Sequence, residues 1–182
     1  GNDGWGFLPV PQETYDMYDA SDLRRDATVW VIDQSVEYTK RYQDTHMWLQ
    51  KYRPMQKNLP TDWDINLNYN NNLRVYRFAE TLLNAAELAL RTGESGAQGW
   101  LDAVRSRAGL PSVTATIDNV LTERRLEFVG EGKRYFDLVR AEGISEASAA
   151  NKATGALKPD AYGYRTNSWT TNTNYITIPQ AE

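Results

Sequence analysis

The stretch Leu121-Thr122-Glu123-Arg124-Arg125-Leu126-Glu127-Phe128-Val129-Gly130-Glu131-Gly132-Lys133-Arg134-Tyr135-Phe136-Asp137-Leu138-Val139-Arg140 decides the fold. At about 100° per residue, Leu121, Phe128, Val129, Gly132, Tyr135, Phe136 and Val139 share one stripe roughly 120° wide, as a core-facing amphipathic helix should. Arg125 falls in the middle of that stripe. A guanidinium there is costly unless a carboxylate meets it, so the reading requires a buried acidic partner elsewhere in the chain.

Two more helices are expected upstream. In residues 74–91, Val75, Phe78, Ala79, Leu82, Leu83, Ala85, Ala86, Ala89 and Leu90 make a wide apolar face, and Gly93 stops the helix. The next helix spans residues 95–108, with Trp100, Leu101 and Val104 inward and Gly109-Leu110-Pro111 ending it. Small residues at Ala86, Ala89 and Ala97 allow the two to pack closely. Such a pair has the length of one tetratricopeptide-type repeat, although a single copy says little by itself. Nearer the N-terminus, Gly1, Gly4, Gly6, Pro9 and Pro11 predict a loop, residues 12–18 a short helix and residues 28–32 a short strand. Residues 34–72 are polar, aromatic and Asn-rich without a sustained helical period, and a connection that long in a compact domain is usually functional or disordered. Residues 142–174 read as loop, and Tyr175-Ile176-Thr177-Ile178-Pro179 as a short extended tail.

The whole chain of 182 residues suits one domain with a real core. Its organisation is expected as a loop-rich part over residues 1–72, a helical part over 73–140, and a loop with extended tail over 141–182. The composition is 41% hydrophobic and the mean hydropathy −0.65, and no apolar run reaches the ~18 residues a membrane helix needs. A net charge of −4 argues against nucleic acid as partner. The chain has no cysteine, which excludes disulfides and thiolate chemistry, and its single histidine, His46, leaves no basis for most zinc sites.

Four segments, in this order, carry a family resemblance. They are Pro9-Val10-Pro11-Gln12-Glu13 with Asp22-Leu23-Arg24-Arg25-Asp26-Ala27-Thr28; Leu73 to Glu87; the stretch from Glu123 to Arg140; and Tyr175-Ile176-Thr177-Ile178-Pro179-Gln180. Together they resemble the SusD/RagB family of outer-membrane glycan-binding lipoproteins of Bacteroidetes, over nearly the whole chain. The resemblance implies a mainly α fold, namely a SusD-like C-terminal region with a tetratricopeptide-like helix pair, a further long helix and extended aromatic-rich loops. It implies a protein on the cell surface that captures a polysaccharide or oligosaccharide and passes it to a TonB-dependent transporter of the SusC type, without catalysis and without a cofactor. Family members normally begin with a lipoprotein signal and a long helical N-terminal half. The resemblance therefore makes this chain the C-terminal portion, with the missing N-terminal half as a further partner and the lipid anchor on it.

Residues that could carry chemistry divide unevenly. Glu80 and Glu87 are seven apart on one helix edge, a spacing open to acid–base work in glycoside hydrolysis. The plainer reading makes one of them the partner of Arg125, with Glu87 also pairing with Arg91 at i,i+4. Glu123, Glu127 and Glu131, with Arg134, read as a solvated or docking face. His46 lacks a Ser or Cys partner at any recognisable spacing, and no Gly-x-Ser-x-Gly elbow exists. Asp62-Trp63-Asp64-Ile65-Asn66-Leu67-Asn68 resembles the start of a calcium loop, but Leu67 stands where glycine is needed and Leu73 where the bidentate glutamate belongs. No metal site is expected.

The aromatic residues are the better lead. Six Trp and eleven Tyr are a heavy load, and the polar loops hold several of them. Trp30 and Trp100 sit within a strand and a helix and read as core. Trp48, Trp63 and Tyr69, in the Asn-rich stretch, and Trp5, in the Gly-rich entry, are the expected ligand-binding residues. A flat indole packs against the C–H face of a sugar ring, while Asn side chains offer its hydroxyls both donor and acceptor. Two rival readings stand beside this one: a glycoside hydrolase with two working carboxylates, and a tetratricopeptide-type protein-interaction scaffold without sugar affinity.

Overall fold

The computed structural model describes residues 6, 8–40, 44–62, 64 and 68–142. The chain divides into two compact units, Gly1–Glu131 and Gly132–Glu182. Among the described residues the fold is mostly helical. Of the loop expected over 142–174, Glu142 ends a helix and the rest lies outside them, as does the tail from Tyr175.

In the first unit the elements run α1 (Gln12–Asp16), α2 (Arg24–Thr28), β1 (Val29–Val31), β2 (Met47–Leu49), a 3-10 turn at Gln56–Asn58, α3 (Phe78–Thr92), α4 (Ala97–Arg107) and α5 (Ile117–Glu127). Helices α3 and α4 fold back on each other through a four-residue connection. Gly93, at φ 76°, closes α3 with its N–H on the Ala89 carbonyl, a left-handed cap that favours glycine. Their interface is built on Ala79, Leu83, Ala86 and Ala89 against Ala97, Leu101 and Val104, with Val120 of α5 and Phe128 completing the cluster. Four alanines let the backbones approach, and Leu83, Leu101, Val104 and Val120 are fully buried. Helix α5 starts at Thr116, whose hydroxyl accepts from the Asn119 N–H at 3.1 Å.

A second cluster gathers Val10, Tyr18, Val29, Met47 and Leu126. It rests on an antiparallel ribbon in which Val29 faces Leu49, Trp30 faces Trp48 and Val31 faces Met47. Strand β2 comes from the Asn-rich stretch, where no strand was expected. The Ile32 N–H to the His46 carbonyl (2.8 Å) and the Gln50 N–H to the Thr28 carbonyl (2.7 Å) prolong the ladder at its two ends.

Three expectations need correction. The decisive stretch is not one long helix: α5 ends at Glu127, Gly130 and Gly132 take φ of 77° and 71°, and the second unit begins with a separate helix, α6 (Arg134–Glu142). A phase computed across both therefore misassigned the buried arginine. Arg124 is 3% exposed, whereas Arg125 is only partly buried. The helix expected from residue 74 begins at Phe78, so Val75 and Phe78 are exposed and not inward. Finally, Glu123, Glu127 and Glu131 are no solvated face: their side chains keep 1%, 2% and 6% of their surface.

Candidate functional site

Two features concentrate the chemistry, and the ribbon is the first. Because side chains alternate across a strand, Val29 and Met47 turn into the core while Trp30 and Trp48 share the opposite side, directly across from each other. Both indoles remain partly exposed. The Arg53 guanidinium lies over the Trp30 ring, 4.4 Å from its centroid, a cation–π contact that covers one of its faces. Trp30, read from the sequence as core, is thus half of a paired aromatic surface. The alternation Val29-Trp30-Val31 carried that signal, since a strand with Val29 inward must turn Trp30 outward.

Of the four residues expected to bind ligand, Trp48 stands on this ribbon. Tyr69 is partly buried between exposed Asn68 and Asn70, and the Asn70 N–H donates to the Asn58 carbonyl at 2.9 Å. Trp5 and Trp63 lie outside the described residues. Trp100 packs against the α3–α4 core, and its ring closes over Gly96. His46, at φ 62°, places Nδ1 against the Tyr38 hydroxyl, which also reaches Asp44 Oδ1 at 3.0 Å.

The second feature is a buried ion-pair basin. Arg24, from α2, donates through Nε and Nη2 to Asp22 and through Nη1 to Glu123 (2.6 Å) and Glu127 (3.0 Å). Arg105 holds the other Glu123 oxygen at 2.8 Å. Arg77 reaches Glu127 and Glu131, Arg107 grips both oxygens of Glu127, and Lys51 donates to Glu131 and to the Glu127 carbonyl. Every carboxylate oxygen of the three glutamates therefore accepts from a cation. Burial opposes the Arg24 and Arg77 charges, but the facing carboxylates outweigh it and raise both pKa values. Burial likewise opposes the Glu131 carboxylate, yet Arg77 and Lys51 hold its pKa below the ordinary range. For Lys51 desolvation wins and lowers the pKa, despite Glu131. Carboxylates held in this way by several cations tie α2, α4 and α5 together with the segments at Lys51 and Arg77.

The acidic pair on α3 is also built in. Glu80 and Glu87 are 8% and 4% exposed, and Glu87 pairs with Arg91 at 2.5 Å as expected. The buried arginine facing this helix is Arg124, whose Nη1 donates to Asn84 Oδ1 at 2.5 Å, between the two glutamates in sequence. Asp62 and Asp64 are exposed, and no group of three or more potential metal ligands occurs among the described residues.

The model of the SusD family matches residues 33–182. Among solved structures, the chain is 70% identical to the surface glycan-binding protein A from Bacteroides uniformis, with a TM-score of 0.86 over 97% of this chain and 39% of that one. It is 46% identical to the surface glycan-binding protein A from Bacteroides thetaiotaomicron in complex with laminarihexaose, with a TM-score of 0.83, 98% of this chain and 39% of that one. A laminarin binding SusD-like protein matches at 37% identity and TM-score 0.68, over 81% of this chain and 35% of that one. Comparison with curated proteins gave no match. The chain thus spans little more than a third of these structures' length, and with its family model covering residues 33–182 it belongs to the SusD family.

Proposed function

We propose that the chain forms the C-terminal domain, residues 1–182, of a cell-surface glycan-binding protein of the outer membrane. It binds a laminarin-type glycan without cleaving it, and passes it to a TonB-dependent transporter of the SusC type. The N-terminal part of the same protein completes the site and carries the lipid anchor. The observation that carries this reading is the partly exposed Trp30–Trp48 pair on one side of the ribbon. Its support from outside is a 46% identical relative solved with laminarihexaose. Two indoles side by side match the apolar faces of successive sugar rings, and Trp5, Trp63 and Tyr69 are proposed with them as ligand-binding residues.

Isothermal titration of the full-length protein against laminarin, with plant, host and microbial polysaccharides alongside and a reducing-sugar assay on the same samples, tests it. The expected result is binding of laminarin with no product. Release of reducing sugar sinks the reading, as does a Trp30→Ala, Trp48→Ala double variant that binds as tightly as the parent.

A further inference from the structure

Beside the ion-pair basin lies a cavity of about 240 Å³, lined by Arg24, Lys51, Arg74, Arg77 and Arg107 on the cationic side and by Glu127 and Glu131 on the acidic side. Its volume corresponds to roughly eight waters at about 30 Å³ each, room for one sugar-sized group. Charge does not balance there. Counting also Asp22 and Glu123, which Arg24 binds, and Arg105, which shares Glu123, six cations face four carboxylates.

The excess is located on the rim. The glutamate oxygens are already saturated, but among the described residues Arg107 donates only through Nη2, to Glu127, and Arg74 only through Nη2, to the Lys51 carbonyl at 2.9 Å. Both guanidiniums keep Nε and Nη1 for another acceptor, and Lys51, with two bonds made, keeps a third N–H. The Arg107 side chain is 56% exposed, so its spare donors are within reach of a ligand. We propose that this cavity is an anion-binding subsite that takes a single carboxylate or phosphate group, on a sugar or free, between Arg74, Arg107 and Lys51. Guanidinium forks suit planar carboxylates and phosphate oxygens alike. Desolvation of Lys51, which depresses its pKa, marks the floor as shielded from water. The subsite is separate from the tryptophan ribbon and stands independently of the glycan reading above.

The test is isothermal titration of the full-length protein with D-glucuronate and with inorganic phosphate at fixed low ionic strength, with D-glucose as the neutral control. Saturable one-site binding of either anion, with none of glucose, is expected. Glucuronate binding more tightly assigns an acidic sugar, and phosphate binding more tightly assigns a phosphate group. Arg74 contacts the Lys51 carbonyl and the Tyr52 ring and no basin carboxylate, so Arg74→Gln should weaken anion binding about fivefold, and Arg74→Gln with Arg107→Gln at least about tenfold. The Trp30→Ala, Trp48→Ala variant should bind the anion as the parent does. Failure of both anions to saturate, or undiminished binding by a folded Arg74→Gln variant, overturns the proposal.

Discussion

Arg24 Nη1 and Glu123 Oε1 meet at 2.6 Å across 99 residues of sequence, tying the start of α2 to the middle of α5. Both side chains are almost wholly buried, and Arg24 answers Asp22 and Glu127 as well. Taking the guanidinium away leaves three buried carboxylates short of a counter-charge. Arg24→Met is therefore expected to destabilise the fold by ~3–5 kcal/mol. Arg25→Gln, which loses a surface pair with exposed Asp26 and a cation–π contact with Tyr15, should unfold much closer to the parent. Urea unfolding of the two variants checks the contrast, and equal midpoints would mean that the basin is not what joins these segments.

Glu80→Gln and Glu87→Gln address the carboxylates with the spacing of a hydrolase pair. Each is buried on α3, and Glu87 holds Arg91. Each substitution should lower stability by ~1–3 kcal/mol and leave glycan affinity where it was. Unchanged melting temperatures for both would remove their structural role.

How far the sequence reached is clearest at the charges. The pairing of Glu87 with Arg91 follows from helical spacing alone, and the structure has it. The burial expected of one α3 glutamate rested on Arg125, whereas both are buried and the buried arginine facing that helix is Arg124. The burial of Glu123, Glu127 and Glu131 does not follow from spacing. Their partners Arg24, Lys51, Arg77, and the α4 pair Arg105 and Arg107 come from four separate places in the chain, and i,i+4 acids without local partners look like a solvated face. Arg125 was placed inside because the stripe was phased through Gly130 and Gly132, whose positive φ ends the helix. Phased over α5 alone, Val120, Leu121, Glu123, Arg124, Leu126 and Glu127 form the inner face. Trp30 was legible from strand alternation, but its pairing with Trp48 needed β2, three residues in a stretch with no strand pattern of its own.

Tyr18 gives stability a pH dependence of known sign. Its hydroxyl donates to the Leu126 carbonyl at 2.7 Å, and burial pushes its pKa from 10.0 up to about 12. Between those values the folded protein keeps the proton that the unfolded chain releases, so this stability is complete below pH 10 and is lost as pH rises towards 12. The full loss is ~2–3 kcal/mol. Tyr18→Phe should be less stable by ~1 kcal/mol at neutral pH and should close that gap as the pH rises. Urea midpoints of both proteins between about pH 9 and 11.5 measure it, and parallel curves would contradict it.

Gly130 and Gly132 share a left-handed backbone but not their surroundings. A Cβ at Gly130 would stand 2.5 Å from Leu49 Cδ1, whereas one at Gly132 meets nothing within 4 Å. Gly132→Ala should therefore cost only the backbone term, ~1–2 kcal/mol. Gly130→Ala adds the displacement of Leu49, which packs against the second core cluster, and should lose ~1 kcal/mol more. Thermal melts of the pair settle the order, and a Gly132→Ala variant less stable than Gly130→Ala would reverse it.

The tryptophans separate binding from folding. Arg53 occupies one face of Trp30, so on the proposed reading a sugar ring would stack on the other face of that indole. No cation–π partner is found over Trp48 among the described residues. Trp48→Ala is therefore expected to weaken laminarin binding more, by about tenfold (~1.4 kcal/mol), and Trp30→Ala by about fivefold (~1 kcal/mol). Arg53→Ala uncovers the second face of Trp30 and should change affinity less than either. Titration of the three variants, with melting temperatures to confirm that each is folded, reads the order directly. If Arg53→Ala proves the most damaging of the three, the guanidinium and not the indole face makes the sugar contact.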